Sequence, residues 1–368
     1  MKIGIYARGL SEKSGGAKQY IESASNAIID IIPDKDEVYI IHNLEKKYFN
    51  SLKNNVHELL LKSNSKIMCD YILAPKKINE LNLDVVLFTK NFVPFFIKTQ
   101  SLVVILDLAY FMPELEAYKL LDNLYWRTVM KSSSKRANKI IAISKNTKKD
   151  IVSFFKISPS KIKVVYLAAD KKYKIIKDRK KINRLKEKYN LSDKFIFYSG
   201  SLSPRKNLIR AIMAFNKISK KINCDFVITG NKVWNSEDVS KLIKKNKKIK
   251  VTGFINDDEM PLLYSLAEIC IYPSIYEGFG LPILEAQACG CPVITSNVSS
   301  MPEIAGKGAL LVNPYSVEDI INAMKSVIKD KKLRGKLIKE GYKNVKKFSW
   351  KKYARKILKI CEEVYNEK

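Results

Sequence analysis

The chain has 368 residues, 46% of them hydrophobic and 10% aromatic, which is enough apolar mass for real cores and excludes wholesale disorder or a collagen-like chain. No run of about 18 apolar residues exists, so no helix is expected to span a membrane. Lys and Arg outnumber Asp and Glu by 67 to 37, a net charge of +30. That excess either attracts a polyanion, such as nucleic acid, anionic lipid or a phosphorylated substrate, or is carried on solvated helix faces, since lysines run through nearly every segment.

The opening MKIGIYA has only a short apolar run and reads as a first strand, not a signal peptide. Strands are predicted over Ile3–Ala7, Val38–Ile41, Val85–Phe88, Leu102–Leu106 and Lys139–Ile143, each a short apolar run of the kind buried on both faces. Helical spacing falls between them, at about Ala17–Ile31, Leu115–Met130 and Ser144–Phe155, with Ser144 as an N-cap. Residues 171–186 form a dense basic stretch that reads as a linker entering a charged helix. The rhythm then restarts, with strands over Phe195–Ser199, Phe226–Thr229, Lys250–Thr252, Ile269–Tyr272, Pro292–Thr295 and Ala309–Val312. A last helix runs from Ser349 to about Tyr365, with Tyr353, Ile357, Ile360 and Val364 on one face. The expectation is two consecutive doubly wound α/β domains, 1–172 and 173–349. In such sheets ligands bind at the carboxyl ends of strands, and with two domains the natural place is the cleft between them. Six scattered cysteines without a CxxC pair argue against a disulfide framework or a zinc site and fit a reducing cytoplasm.

Three segments carry candidate chemistry. Glu277-Gly278-Phe279-Gly280-Leu281-Pro282 follows a strand and opens a helix whose second acid, Glu285, lies eight positions after the first. Gly278 and Gly280 permit a tight turn, Pro282 suits a first helical turn, and the exposed N–H groups favour an anion. Two carboxylates around such a turn suit a nucleotide sugar; a capped helix with an ordinary N-terminal acid is the plain alternative. Arg205-Lys206 on a strand-to-helix loop places two cations where a diphosphate could be neutralised, or forms a solvated basic pair. Ser14-Gly15-Gly16-Ala17 offers a second phosphate approach or a flexible turn, and lacks a full GxGxxG pattern. Asp107, at a strand end, is a candidate for the sugar or the acceptor, or a turn cap. Asp34-Lys35-Asp36 reads as a turn rather than a metal chelator, and His42 and His57 make no metal spacing. No metal site is expected.

The segment Tyr276 to Ile294, EGFGLPILEAQACGCPVI from Glu277, resembles the C-terminal signature of retaining GT-B glycosyltransferases of family 4, the group 1, mannosyltransferase-like enzymes. Their mark is two glutamates with seven residues between them, matched by Glu277 and Glu285. Gly200-Ser201-Leu202-Ser203-Pro204-Arg205-Lys206-Asn207-Leu208 resembles the family's phosphate-binding loop. The likeness spans nearly the whole chain and is weakest over about 35–100.

The resemblance implies a GT-B fold of two Rossmann-like domains with an interdomain cleft. The first would bind the acceptor, with the helix at about 350–368 packing back on it, and the second the nucleotide sugar. It implies transfer of a hexose, mannose or glucose in type, from a nucleotide diphosphate sugar to a glycan or lipid-linked acceptor. The transfer would proceed with retention, without metal or other cofactor, in surface polysaccharide synthesis. Glu277 would orient the donor sugar and Glu285 the ribose. Gly15 and Gly16 would lie near the diphosphate, with Gly200, Ser201, Arg205 and Lys206. Gly253, Phe254 and Ile255 would hold the base through backbone groups, and Gly278, Phe279, Gly280 and Leu281 would shape the donor turn. Domain closure would exclude water. Relatives carry His-Asp-Leu where this chain has Leu106-Asp107-Leu108, so that histidine's role does not transfer. Gln287 and Leu106 are candidates for tuning donor choice. The expected location is cytoplasmic, peripheral on the inner face of the cell membrane, where the basic surface would meet anionic lipid. A nucleic-acid partner is not expected, because no aromatic–basic platform or reading helix is visible. The alternatives are a non-catalytic nucleotide-sugar or glycan-binding protein and a GT-B epimerase or phosphorylase.

Overall fold

The computed structural model describes all residues except 11, 13, 14, 50, 51, 64, 202, 231–236 and 368, and all side chains but those and 237, 238 and 240. Ser14 and Leu202, which belong to two of the motifs above, lie outside the described residues. The chain divides into two units. Unit 1 comprises Met1–Phe111, Leu120–Leu167 and Ser349–Lys368, and unit 2 comprises Met112–Lys119 and Ala168–Phe348.

Unit 1 runs β1 (Lys2–Tyr6), α1 (Gly16–Ile31), β2 (Glu37–His42), β3 (Val56–Leu60), α2 (Lys66–Met68), a π-helical turn (Cys69–Leu73) and α3 (Ala74–Glu80). It continues with β4 (Val85–Phe88), β5 (Gln100–Ile105), α4 (Leu120–Arg136), β6 (Lys139–Ala142), α5 (Lys145–Phe155) and β7 (Ile162–Val164). The strands form one parallel sheet of seven, in the order β3-β2-β1-β4-β5-β6-β7. β3 and β7 are additions to the five strands predicted here. The helix predicted from Leu115 begins at Leu120 instead. Pro113–Leu115 is a 3-10 turn closed by Glu116 at φ 45°, and that left-handed residue stops a helix from running through. Ser144 does cap α5, its side chain accepting from the Thr147 N–H.

Unit 2 runs α6 (Arg179–Tyr189), β8 (Phe195–Ser199), α7 (Leu208–Ile218), β9 (Asp225–Thr229), α8 (Glu237–Lys244), β10 (Ile249–Gly253) and α9 (Met260–Leu266). Then follow β11 (Ile269–Tyr272), α10 (Leu281–Ala288), β12 (Val293–Ser296), α11 (Met301–Ala305), β13 (Ala309–Val312), α12 (Val317–Lys329) and α13 (Lys331–Val345). Its parallel sheet of six has the order β10-β9-β8-β11-β12-β13. Side chains alternate between two buried faces, as a doubly covered sheet requires. Ile196, Tyr198, Phe226, Ile228 and Ile271 pack with Ala211, Ile212 and Phe215 of α7. Phe195, Phe197, Val227, Cys270 and Tyr272 pack with Leu263 and Tyr264 of α9 and Ile283 and Ala286 of α10. Within the basic stretch 171–186, the helix starts at Arg179 because Asp178 accepts from the N–H groups of Lys180 and Lys181.

The last helix, α14 (Trp350–Asn366), is part of unit 1. Tyr353, Ala354, Ile357, Ile360, Cys361 and Val364 are buried at helical spacing, against α1 among others. The Tyr20 and Tyr353 hydroxyls meet at 2.8 Å, and Lys139 bonds Glu367 at 2.7 Å. None of the six cysteines forms a disulfide.

Candidate active site

In each sheet the chain leaves the first strand of the unit in one direction and its fourth in the other, so the loops after β1 and β4, and after β8 and β11, splay apart. That point, at the strands' carboxyl ends, is where open α/β sheets bind ligands. In unit 2 it is built from two loops that are stitched together. The Ile275 N–H donates to the Arg205 carbonyl at 2.8 Å. Asn207, left-handed at φ 59°, turns its buried amide to donate to Pro273 O at 2.9 Å and Pro314 O at 2.7 Å. One side chain thereby fastens the loops after β8, β11 and β13.

Three charges converge there. Arg205 Nη1 donates to Glu277 Oε2 at 2.9 Å and to the Tyr276 carbonyl at 3.0 Å. Lys206 Nζ lies 2.6 Å from Glu277 Oε1 and 2.6 Å from the Tyr272 hydroxyl, over whose ring it also sits. Glu277 is 6% exposed. Burial alone would raise its carboxyl, but Arg205 and Lys206 outweigh it and the acid is pushed down to about 2. Burial and then the Glu277 charge push the Tyr272 hydroxyl up, so it stays protonated. The cluster sums to one positive charge, held on rigid backbone: the Ser299 and Ser300 hydroxyls donate to the Glu277 carbonyl at 2.8 and 2.9 Å, and Ser300 also donates to Phe279 O.

The glycine turn is buried throughout. Gly280, at φ 104°, caps α10 with Leu281 and Pro282 in its first turn, and Phe279 packs edge-on against Phe348. Glu285 is buried and accepts from the Tyr264 hydroxyl at 3.2 Å. Gln287 is committed to structure. It donates to Ala305 O and accepts from Asn344, both at 2.9 Å.

The strands β8, β9 and β10 each end in Ser-Gly or Thr-Gly, at Gly200, Gly230 and Gly253. Gly230 N donates to Gly253 O, and a Cβ on Gly230 would sit 2.0 Å from Gly200 O. Backbones pack directly here, so the loop carrying Ser201 and Arg205 is seated on bare main chain. The Ser201 carbonyl accepts weakly from Tyr198 at 3.4 Å. Gly253 O is already taken by Gly230 N and Thr229 Oγ1. Beside it Phe254 is exposed, whereas the Ile255 side chain is locked in the core.

The remaining candidates belong to unit 1. Gly15, at φ 119°, caps α1, and open space surrounds Gly15 and Gly16. Asp107 follows β5 and caps the 3-10 turn Ala109–Phe111, accepting from the Ala109 N–H at 3.1 Å. Leu106, just outside β5, donates its N–H to Asn91 Oδ1. A group that the sequence reading did not single out sits after β1. There Asp70 of the π-turn accepts from the Tyr6 hydroxyl and Arg8 Nε, each at 2.7 Å, and lines a small pocket with Glu12, Asn43 and Lys66. Asp70 had no legible signal, because the π-turn has no sequence period; the Arg8-Gly9 pair directly after a strand was one. Asn207, Tyr272 and Gly230 were missed too, and the repeated Ser/Thr-Gly strand ending could have found Gly230.

Residues 179–344 match the family model of glycosyl transferases group 1. The matched region holds the whole charge cluster, Asn207 and Glu285. Over 232 residues the chain is 29% identical to O-antigen chain mannosyltransferase B of Escherichia coli, a match covering 61% of this chain and 61% of that protein. The chain thus spans about three fifths of that relative's length. Sucrose-phosphate synthase from Thermosynechococcus elongatus superposes with a TM-score of 0.78 at 17% identity, over 100% of both chains. HepE from Anabaena, solved in complex with UDP and glucose, gives 0.74 at 17% identity over 98% of this chain and 99% of that one. The fold is GT-B, two Rossmann-like α/β units with parallel sheets of seven and six strands.

Proposed function

We propose that this protein is a retaining glycosyltransferase of family 4. It moves a hexose, of the mannose or glucose type, from a nucleotide diphosphate sugar to a hydroxyl of a glycan or lipid-linked acceptor in surface polysaccharide synthesis. The observation that carries the reading is the convergence of Arg205, Lys206 and ionised Glu277 at the switch point of sheet 2. The group 1 match over 179–344 and the likeness to a mannosyltransferase support it.

The residues divide the work by charge. Arg205 and Lys206 take up the negative charge that grows on the departing diphosphate, the task a metal performs in other enzymes, so no metal is required. The bond from the anomeric carbon to the diphosphate oxygen breaks while the acceptor oxygen bonds to that carbon on the same face. The acceptor proton passes to the leaving phosphate oxygen. Glu277, ionised at neutral pH, has no proton to give; it accepts hydrogen bonds from sugar hydroxyls and orients the ring. Gly200, Ser201 and the 278–281 turn offer backbone groups to the donor, and Glu285 serves the ribose. In unit 1, Gly15, Gly16 and Asp107 serve the diphosphate and the acceptor.

A thermal-shift panel of nucleoside diphosphates and nucleotide sugars tests this. A true donor at a hundredfold excess over its dissociation constant stabilises the fold by about 2.7 kcal/mol, and it must yield an α- or β-product with the donor's own anomeric configuration. If no nucleotide shifts the transition, or the product is inverted, the reading is wrong.

A further inference from the structure

The amino edge of the seven-stranded sheet carries a cleft outside the site described above. β5 opens at Gln100 and β6 at Lys139, so this edge lies at the opposite end of β5 from Asp107, roughly 20 Å away along the strand. The cleft has a volume of about 250 Å³, and its lining includes Phe96, Lys98, Thr99, Gln100, Arg136 and Asn138. None of the described residues that line it is Asp or Glu. Lys98 is exposed and has no carboxylate partner among the described residues. Arg136 has only neutral partners among them: its guanidinium donates to the Ser132 hydroxyl and the Val93 carbonyl and stacks on the Phe95 ring at 4.0 Å.

The polar groups around the cleft are positioned but not used up. Asn138 Oδ1 accepts from the Ser101 N–H at 2.9 Å, which fixes that carboxamide and leaves its Nδ2 without a partner among the described residues. Gln100 Oε1 is buried and has no hydrogen-bond partner among them, a costly state for a carbonyl oxygen. Phe96 is 87% exposed and left-handed at φ 64°, a strained state for a bulky residue. Asn79 of α3 holds it there, donating to Phe96 O at 2.9 Å and accepting from Lys98 N at 3.2 Å. The fold thus fixes an aromatic ring in water beside two uncommitted carboxamides and two cations.

We infer that this cleft binds an acidic hexose, a single sugar ring carrying a phosphate or a carboxylate. Each part of such a ligand has its counterpart. The exposed Phe96 ring covers the C–H face of a pyranose. Carboxamides offer a donor and an acceptor together, as sugar hydroxyls do, so Gln100 and Asn138 read hydroxyls. Lys98 and Arg136, with no acid lining the cleft, select the anionic group. Size limits the occupant as well. About 250 Å³ lies below the roughly 300–1,000 Å³ of pockets that enclose drug-sized molecules, which suits one sugar ring rather than a nucleotide. The strain at Phe96 then has a purpose, since a relaxed backbone would not present the ring. The inference goes beyond the transferase reading and does not depend on it.

Titration calorimetry of the full chain with mannose 6-phosphate, glucuronate, mannose and inorganic phosphate tests the assignment. At least one of the two acidic sugars should bind, and the tighter of them names the anion. Mannose and inorganic phosphate each carry half of the recognised chemistry and should bind roughly tenfold or more weakly. Lys98→Glu should weaken the acidic sugar roughly tenfold or more, and Gln100→Ala about threefold or more. Phe96→Gly should weaken it while the melting temperature holds or rises, because glycine adopts φ 64° without strain. Arg205→Ala should leave it unchanged, which keeps failure here distinct from failure of the transferase reading. The inference is overturned if neither acidic sugar binds, or if mannose or phosphate alone binds as tightly. It is equally overturned if Lys98→Glu and Gln100→Ala leave binding unchanged, or if Arg205→Ala abolishes it.

Discussion

The two sheets share a strand order around their switch points, yet they furnish them differently. After β8 and β11, two cations meet a buried carboxylate from the neighbouring loop, and Asn207 ties a third loop to them. After β1, Arg8 is answered by Asp70, which arrives from a π-turn between β3 and β4. The helix starts differ as well. Gly280 opens α10 with its space filled by Ile283, while Gly15 opens α1 onto empty space. A shared backbone plan therefore carries a finished charge cluster in one unit and an open one in the other, and chemistry follows the loops rather than the sheet.

The largest effect should come from Gly230→Ala. Its Cβ would meet Gly200 O at 2.0 Å on a backbone at φ 138°, and we expect more than about 4 kcal/mol lost in urea unfolding, or no folded unit 2 at all. Gly15→Ala is its counterpart in unit 1, with nothing within 4 Å, and should cost only the conformational penalty of about 1–3 kcal/mol. Equal costs would mean that direct backbone packing is not what distinguishes the two. Next comes Glu277→Ala, expected to lower turnover by roughly 10²–10³ while nucleoside diphosphate binding holds or tightens, because Arg205 and Lys206 lose their counter-charge. Arg205→Ala should weaken binding and turnover together, by about 1.5–3 kcal/mol in calorimetry. The same response in both variants would dissolve the division of labour between acid and cations. A further effect is on acid stability. Because Glu277 falls from 4.5 to about 2 on folding, its contribution is complete above pH 4.5 and is lost as pH drops through about 2. Linkage puts that at a few kcal/mol, and Glu277→Gln should flatten that limb of the pH–stability curve.

Much of unit 2 could be read from residues alone. Most of its strands are short apolar runs, three of them ending at Gly200, Gly230 and Gly253, and the turn from Glu277 to Glu285 carries its spacing openly. The sheet order then explains why Arg205 and Lys206, far from Glu277 in the chain, land beside it: β8 and β11 are neighbours. Unit 1 was harder to read for physical reasons. β3, Val56–Leu60, has a buried, half-polar pattern with Glu58 turned inward to His42, so it lacks the apolar run that marks a strand. The π-turn breaks the 3.6-residue period that reveals a helix. α4 misleads outright, since its leucines face water. Tyr272 could be read only as the end of a strand, because only the fold shows that its hydroxyl reaches Lys206.

Asn207 has a consequence for how such a site can change. Its amide holds Pro273 and Pro314 at once, so the strips of chain around the proposed donor site are riveted at one point. A single strip transplanted from another enzyme would arrive without its fastening, and recruiting a new sugar would require all three to be exchanged as a set.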